Sequence, residues 1–221
     1  MFLTILLLLL GLAILIVGGE GLVRGSASFA KKMRIPSIVI GLTVVAFGTS
    51  MPELIVNIVS VLRGATDIAI GNIIGSNIAN ILLILGISAT ISSLKVQKGT
   101  AWKEIPLALL AAVLVLVMGN DVILDHAGSN ALTRTDGLTL IALFIIFLYY
   151  IYGLSKVEGG PSENVKEYSI GYALLFILGG ILALVLGGKL LVDNAIILAK
   201  LAGMSEALIG LTIVAVGTSL P

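Results

Sequence analysis

Long apolar runs alternate along this chain with short polar connections, and the runs have the length of membrane spans rather than of core helices. Crossing the hydrocarbon region takes about 20 apolar residues in a helix. Stretches of that kind run over roughly 2–19, 37–61, 68–92, 104–120, 135–152 and 170–188. A seventh begins near 206, and the roughly 15 residues of it before Pro221 are too few to cross at about 1.5 Å per residue. The segment from Gly153 to Tyr168, GLSKVEGGPSENVKEY, mixes Gly, Pro, Ser and both charges without an apolar period, so it reads as a linker. The pattern predicts an all-α integral membrane protein organised as 1–152, a cytoplasmic linker 153–169, and 170–221.

One apolar segment occurs twice. GLTVVAFGTSMP, from Gly41 to Pro52, returns as GLTIVAVGTSLP, from Gly210 to Pro221, at an offset of 169. The same offset carried backwards aligns Gly18-Gly19 with Gly187-Gly188, Leu22-Val23 with Leu191-Val192, and Ala30-Lys31 with Ala199-Lys200. The copies lie on the second and seventh spans, five crossings apart, and an odd number of crossings reverses direction. The repeats are therefore inverted, as in transporters built from two halves. The fold expected is an inverted-repeat transporter of five helices per repeat, 5+5 when complete, with the second repeat truncated in this chain. The opening run lacks a basic leader region and recurs in mid-chain, so it is expected to be a retained helix and not a cleaved signal.

Composition narrows the chemistry. With 58% hydrophobic and 11% charged residues, the chain falls outside the range of soluble domains. A net charge of +1 suggests no nucleic-acid partner. No cysteine is present and His126 is the single histidine, which excludes thiolate sites and gives soft metals little to bind. It also leaves no nucleophile–base arrangement for an enzyme. Placing the N-terminus outside puts nine basic residues on the cytoplasmic side: Arg24, Lys31, Lys32, Arg34, Lys95, Lys98, Lys103, Lys156 and Lys166. The outer side then holds four, Arg63, Arg134, Lys189 and Lys200. That bias predicts a multi-pass cell-membrane protein with its N-terminus outside.

The second span carries a seam at Thr43, Ala46, Ser50, Glu53, Asn57 and Ser60, on one helix face by its steps of three and four. An ionisable group facing lipid costs about 2.5–3.5 kcal/mol at a helix centre on insertion scales, so this face must look into protein or water. Pro52 interrupts the helix and frees the carbonyl near Gly48. The third span matches it with Asn72, Ser76 and Asn80, and with Asn77 beside them, while Gly71 and Gly75 form a spacing that also suits plain helix packing. Carboxylate, amide, hydroxyl and freed carbonyl oxygens, without thiolate or imidazole, suit Ca²⁺ or Na⁺. Glu20 aligns with Lys189 and Arg24 with Asp193, a sign inversion that a cation ligand would not tolerate. Those residues read as snorkelling helix ends.

The stretches GLTVVAFGTSMPEL, GNIIGSNIANILLILG and GLTIVAVGTSLP resemble the alpha-repeat motifs of the calcium/cation antiporter superfamily, most nearly those of prokaryotic sodium/calcium exchangers. The resemblance implies ten helices in two inverted halves, with ion sites among the second, third, seventh and eighth. It further implies Glu53 as a central Ca²⁺ ligand with the Thr49 carbonyl beside it, Asn80 lining that site, and Ala46, Ser50 and Ser76 at flanking Na⁺ sites. In the second repeat Ala215, Thr218 and Ser219 match. The second glutamate would follow Pro221, so the chain is expected to be incomplete and residues 1–221 alone not to exchange ions.

The leading expectation is a secondary antiporter exchanging Ca²⁺ for Na⁺ by alternating access, with both ions as transported substrates, the bilayer as partner and no organic cofactor. Ca²⁺/H⁺ exchange, with Glu53 taking the proton, stands beside it. A cation channel or a structural membrane protein is the alternative of another class.

Overall fold

The computed structural model describes residues 1–33, 35, 40, 44–96, 98–157 and 166–219. They form α1 (Phe2–Lys32), α2 (Ala46–Thr49), α3 (Met51–Leu62), α4 (Thr66–Ile91), α5 (Thr100–Met118), α6 (Asp121–Leu124), α7 (Arg134–Val157), α8 (Ile170–Ala202) and α9 (Glu206–Ser219). Of these, α1, α4, α5, α7 and α8 are long and apolar enough to cross a membrane. Packing divides the chain into two units, one drawn from 1–91 with 159–221 and the other from 92–158. The first unit thus combines helices from both repeats.

Two helices run well beyond their apolar stretches. α1 reaches Lys32 and α8 reaches Ala202, where the apolar runs end near 19 and 188. Charge ends an apolar run but not a backbone hydrogen-bond ladder. Glu20 and Arg24 pair one turn apart on α1, and Lys31 and Lys32 sit in its last turn, where cations suit the helix dipole. In α8 the Ser169 hydroxyl accepts the Tyr172 N–H at 3.4 Å, and Gly203 closes the far end at φ 64°, a left-handed value that glycine adopts freely. α7 likewise continues through 153–157, so the first residues of the expected linker are helical, since a lone glycine does not end a helix. Residues 158–165 of that linker lie outside the described residues, as does Thr43 of the seam.

α1 and α8 are packed backbone against backbone, antiparallel. A Cβ built on Gly11 would lie 3.0 Å from the Gly187 carbonyl oxygen and 2.7 Å from the Leu191 nitrogen. One built on Gly180 would lie 2.7 Å from the Gly18 oxygen and 2.7 Å from the Leu22 nitrogen. Adding 169 to one set of partners turns it into the other, so the contact is symmetric under the repeat. Gly18 with Gly180 and Leu184, and Gly187 with Gly11 and Leu15, form a second pair of the same kind. In contrast, α4 and α9 run in the same direction, with Gly71 against Ala207 and Leu211, and Gly75 against Leu211 and Ala215. First against sixth antiparallel and third against seventh parallel is the pattern that alternating crossings require. Lipid tails are as apolar as leucine, so glycine-mediated close approach is what binds such helices. Leu15, Val56, Ile68, Leu191 and Val214 fill the buried core that α1, α3, α4, α8 and α9 share.

An ion pair ties α3 to α8: Arg63 Nε and Nη2 meet the two Asp193 carboxylate oxygens at 2.8 and 2.9 Å. The side chains are 41% and 37% exposed, so Arg63→Ala is expected to lower stability by only about 0.2–1 kcal/mol. Thermal unfolding in detergent checks this; a loss of several kcal/mol would show the pair carries more than exposed pairs do.

The second unit contains α5, α6 and α7. The Tyr150 hydroxyl donates to Glu104 Oε1 at 2.7 Å and Lys103 Nζ lies 5.9 Å from the Tyr150 ring centre, a cluster at helix ends that suits an interface anchor. The 120–134 loop is exposed but ordered by its own side chains. Asp121 Oδ2 accepts the Ala131 N–H, and Asn130 Oδ1 accepts the Val122 N–H, both at 2.8 Å.

Candidate cation site

The first repeat motif breaks its helix where Pro52 requires. α2 stops at Thr49, Ser50 turns the chain at φ −90° and ψ 2°, and α3 restarts at Met51. Pro52, with no N–H to donate, sits in the first turn, the place where a helix lacks a use for that group. The Gly48 carbonyl, expected to be freed, is instead taken by the Ser50 N–H within the tight turn. Restarting here puts Glu53 in the first turn of α3, where unpaired backbone N–H groups favour a carboxylate. Pro52 in turn packs on Gly19, where an added Cβ would lie 3.3 Å from the proline ring.

Both copies of the motif share a second irregularity. Gly210–Val214 is π-helical just ahead of Ala215, and Val44 and Val45 are π-helical just ahead of Ala46. A third π-helical turn, Ala79–Ile84, holds Asn80. Widened turns of this kind shift the faces of a helix and occur often at functional sites.

Where α3, α4 and α9 meet, the polar side chains converge on Asn72, which is fully buried. Its Nδ2 donates to Asn57 Oδ1 at 2.8 Å. Its Oδ1 accepts from Ser76 Oγ at 3.4 Å and from Thr218 Oγ1 at 3.3 Å. Thr218 Oγ1 lies equally far, 3.3 Å, from the Ala215 carbonyl. Glu53 Oε2 is buried without a hydrogen-bond partner, and so is Ser219 Oγ. An unpartnered buried oxygen is costly in a low dielectric. Ser60 Oγ is in the same state, but of the three only the Glu53 carboxylate oxygen has no proton of its own to give, so it is the one that a cation would satisfy.

Of the expected site residues the structure brings together Ser76 and Thr218, through Asn72, with buried Ala215 offering its carbonyl to Thr218. Ala46 opens α2, and Thr49 and Ser50 stand exposed at the break. Asn80 is exposed on α4, and no hydrogen bond joins it to Glu53 among the described residues. Asn57 and Asn72, part of the polar seams but absent from the expected ligands, turn out to be the hub. Asparagines a turn from Glu53 and from Ser76 were the signal for them. Glu20 and Arg24 satisfy each other, and Asp193 is held by Arg63, so the sign-inverted pairs stand apart from this cluster.

Inverted repeats, with the first motif-bearing helix interrupted beside a carboxylate whose Oε2 is buried, define an inverted-repeat membrane transporter. The family model described as sodium/calcium exchanger protein matches residues 3–153 and 172–221. The chain belongs to that family, one of transporters and not of enzymes. It is 34% identical to the inner membrane protein YrbG of Escherichia coli K12, over all of this chain and 69% of that protein. With the sodium/calcium exchanger MaX1 of Methanosarcina acetivorans it shares 32% identity, over 98% of this chain and 71% of the relative. A solved structure of the sodium-calcium exchanger NCX_Mj, soaked with 2.5 mM Na⁺ and 10 mM Sr²⁺, superposes on the whole chain and on 70% of its own length, with a TM-score of 0.58 and 33% identity.

Proposed function

We propose that this protein exchanges Ca²⁺ for Na⁺ across the cell membrane by alternating access, with Glu53 as the central ligand. The observation that carries the reading is the buried, unpartnered Oε2 of Glu53 at the restart of an interrupted helix. Family membership supports the class of substrate, and the NCX_Mj structure was soaked with Na⁺ and Sr²⁺. Sr²⁺ is a divalent oxygen-seeking ion like Ca²⁺.

In this reading the Thr49 carbonyl and Asn80 share the central site with Glu53, while Ala46, Ser50 and Ser76 serve flanking Na⁺ sites. Ala215, Thr218 and Ser219 give the matching half. The repeat equivalent of Glu53 is position 222, outside residues 1–221, and a second carboxylate there would complete the Ca²⁺ ligand set. Residues 1–152 and 170–221 belong to the two repeats, with the N-terminus outside. α1 and α8, touching through mutually symmetric glycine contacts, are the pair that would move against the ion-binding helices.

The test is uptake of radiolabelled Ca²⁺ into vesicles containing the full-length protein. Na⁺-loaded vesicles diluted into Na⁺-free medium should accumulate Ca²⁺, and collapsing the Na⁺ gradient should stop it. Uptake that follows a pH gradient in Na⁺-free buffer would replace Na⁺ by H⁺ in the reading. Unitary currents would move the protein to a channel.

A further inference from the structure

Asn72 is not among the ligands proposed above, yet it touches two of them. We infer that Asn72 is a positioning residue of the cation site, whose side-chain oxygen receives the protons of Ser76 and Thr218 so that both hydroxyls turn lone pairs toward the ion. The inference rests on the antiporter reading.

A serine or threonine hydroxyl has one proton and two lone pairs. As a cation ligand it must point the proton away from the ion, and inside a membrane that proton needs an acceptor. The Thr218 proton has two acceptors in reach, Asn72 Oδ1 and the Ala215 carbonyl, both at 3.3 Å. It can serve only one well at a time, and donation to Asn72 Oδ1 leaves the hydroxyl lone pairs free for a cation. Ser76 Oγ already donates to the same oxygen at 3.4 Å, one donor for each of its two lone pairs.

The amide must be held oxygen-first for this to work. Asn57 Oδ1, accepting from Asn72 Nδ2 at 2.8 Å, holds it so. Full burial of Asn72 keeps water from substituting for either group. Asn57 lies one turn after Glu53 on α3, so the same network also ties the carboxylate-bearing helix to α4 and α9.

The experiment measures Ca²⁺ uptake by the full-length protein in vesicles. Asn72→Leu, close in volume but without an acceptor, should raise the KM for Ca²⁺ about three- to tenfold, the scale of one lost net hydrogen bond, with a smaller change in kcat. Asn72→Asp, which keeps acceptor oxygens but loses the donor to Asn57, should weaken Ca²⁺ binding less than Asn72→Leu does. In a Thr218→Val background the effect of Asn72→Leu should fall to about half or less, because half of its purpose is already gone. A purely packing role predicts the same loss in both backgrounds and no rescue by Asp, and either result overturns the inference, as does an unchanged KM in Asn72→Leu. Should Asn72→Leu fail to fold by size exclusion, Asn72→Ala goes through the same cycle. Absence of Ca²⁺ uptake by the wild type would instead overturn the antiporter reading, and this inference with it.

Discussion

Glu53→Gln is expected to remove Ca²⁺ uptake while leaving the protein folded. Gln has the shape of Glu, so α3 keeps its packing, but one carboxylate oxygen becomes an NH₂ group. With that group in the place of the buried and unpartnered Oε2, a donor faces the place proposed for the cation; with it in the other place, the ligand still loses its charge. Interactions of a charged group are worth about 1.5–3 kcal/mol, so affinity for Ca²⁺ should fall by about 10- to 100-fold or more. Stability should move the other way. A buried carboxylate oxygen without a partner is a burden on the fold that a neutral amide lightens, as is common where function opposes stability. In Ca²⁺-free detergent the variant should therefore unfold at the wild-type temperature or above it. At one hundred times the wild-type Kd, adding Ca²⁺ should raise Tm of the wild type by the equivalent of about 2.7 kcal/mol and that of the variant by only about 0.4–1.4. Wild-type uptake by Glu53→Gln would sink the central role of this residue, and an equal Ca²⁺ stabilisation of both proteins would place the ion elsewhere.

What could be foreseen from the amino acids divides along physical lines. The interrupted helix at Pro52 and the duplicated motif are covalent facts with one backbone consequence each, so they appear where expected. Glu53 and Asn57 share a face of α3 by helical spacing in the same way, whereas Ser50 lies in the break between α2 and α3. Helix length is different: an apolar run measures how much helix lipid can cover, whereas α1 and α8 continue through Glu20, Arg24, Lys189 and Asp193 because charged side chains support a helix as well as apolar ones do. π-Helical turns before Ala46 and Ala215 are invisible to any spacing rule. Neither could the sequence reveal Asn72 as a hub, because its partners Asn57 and Thr218 come from other helices and only the packing of α3, α4 and α9 brings them within 3.3 Å. GxxxG at Gly71 and Gly75 illustrates the point: it packs helices, as its simpler reading held, and by letting α9 approach α4 it also delivers Thr218 to Asn72.

The same reasoning gives the other large effect to the glycines between α1 and α8. Gly180→Val should disrupt the fold, whereas Gly179→Val should leave it nearly unchanged. A Cβ at Gly180 would stand 2.7 Å from the Gly18 oxygen and 2.7 Å from the Leu22 nitrogen. These are backbone atoms of a long helix, which cannot rotate aside as a side chain could. α1 would have to move off α8 along its length, giving up the matching contacts at Gly11 and Gly187 as well. Overpacking a core costs about 1–3 kcal/mol, and here one substitution opens a whole helix interface, so the loss should lie at or above the upper end. Gly179, its neighbour, has nothing within 4 Å of its would-be Cβ, so a branched side chain there enters open space. By the symmetry of the contact, Gly11→Val should be as damaging as Gly180→Val, since the offset of 169 maps one onto the other. Folded yield and Tm after purification in detergent give the comparison. Equal tolerance of valine at 179 and 180 would show that the α1–α8 approach is looser than the glycine contacts require, and unequal effects at Gly11 and Gly180 would show that the two halves bear the interface differently.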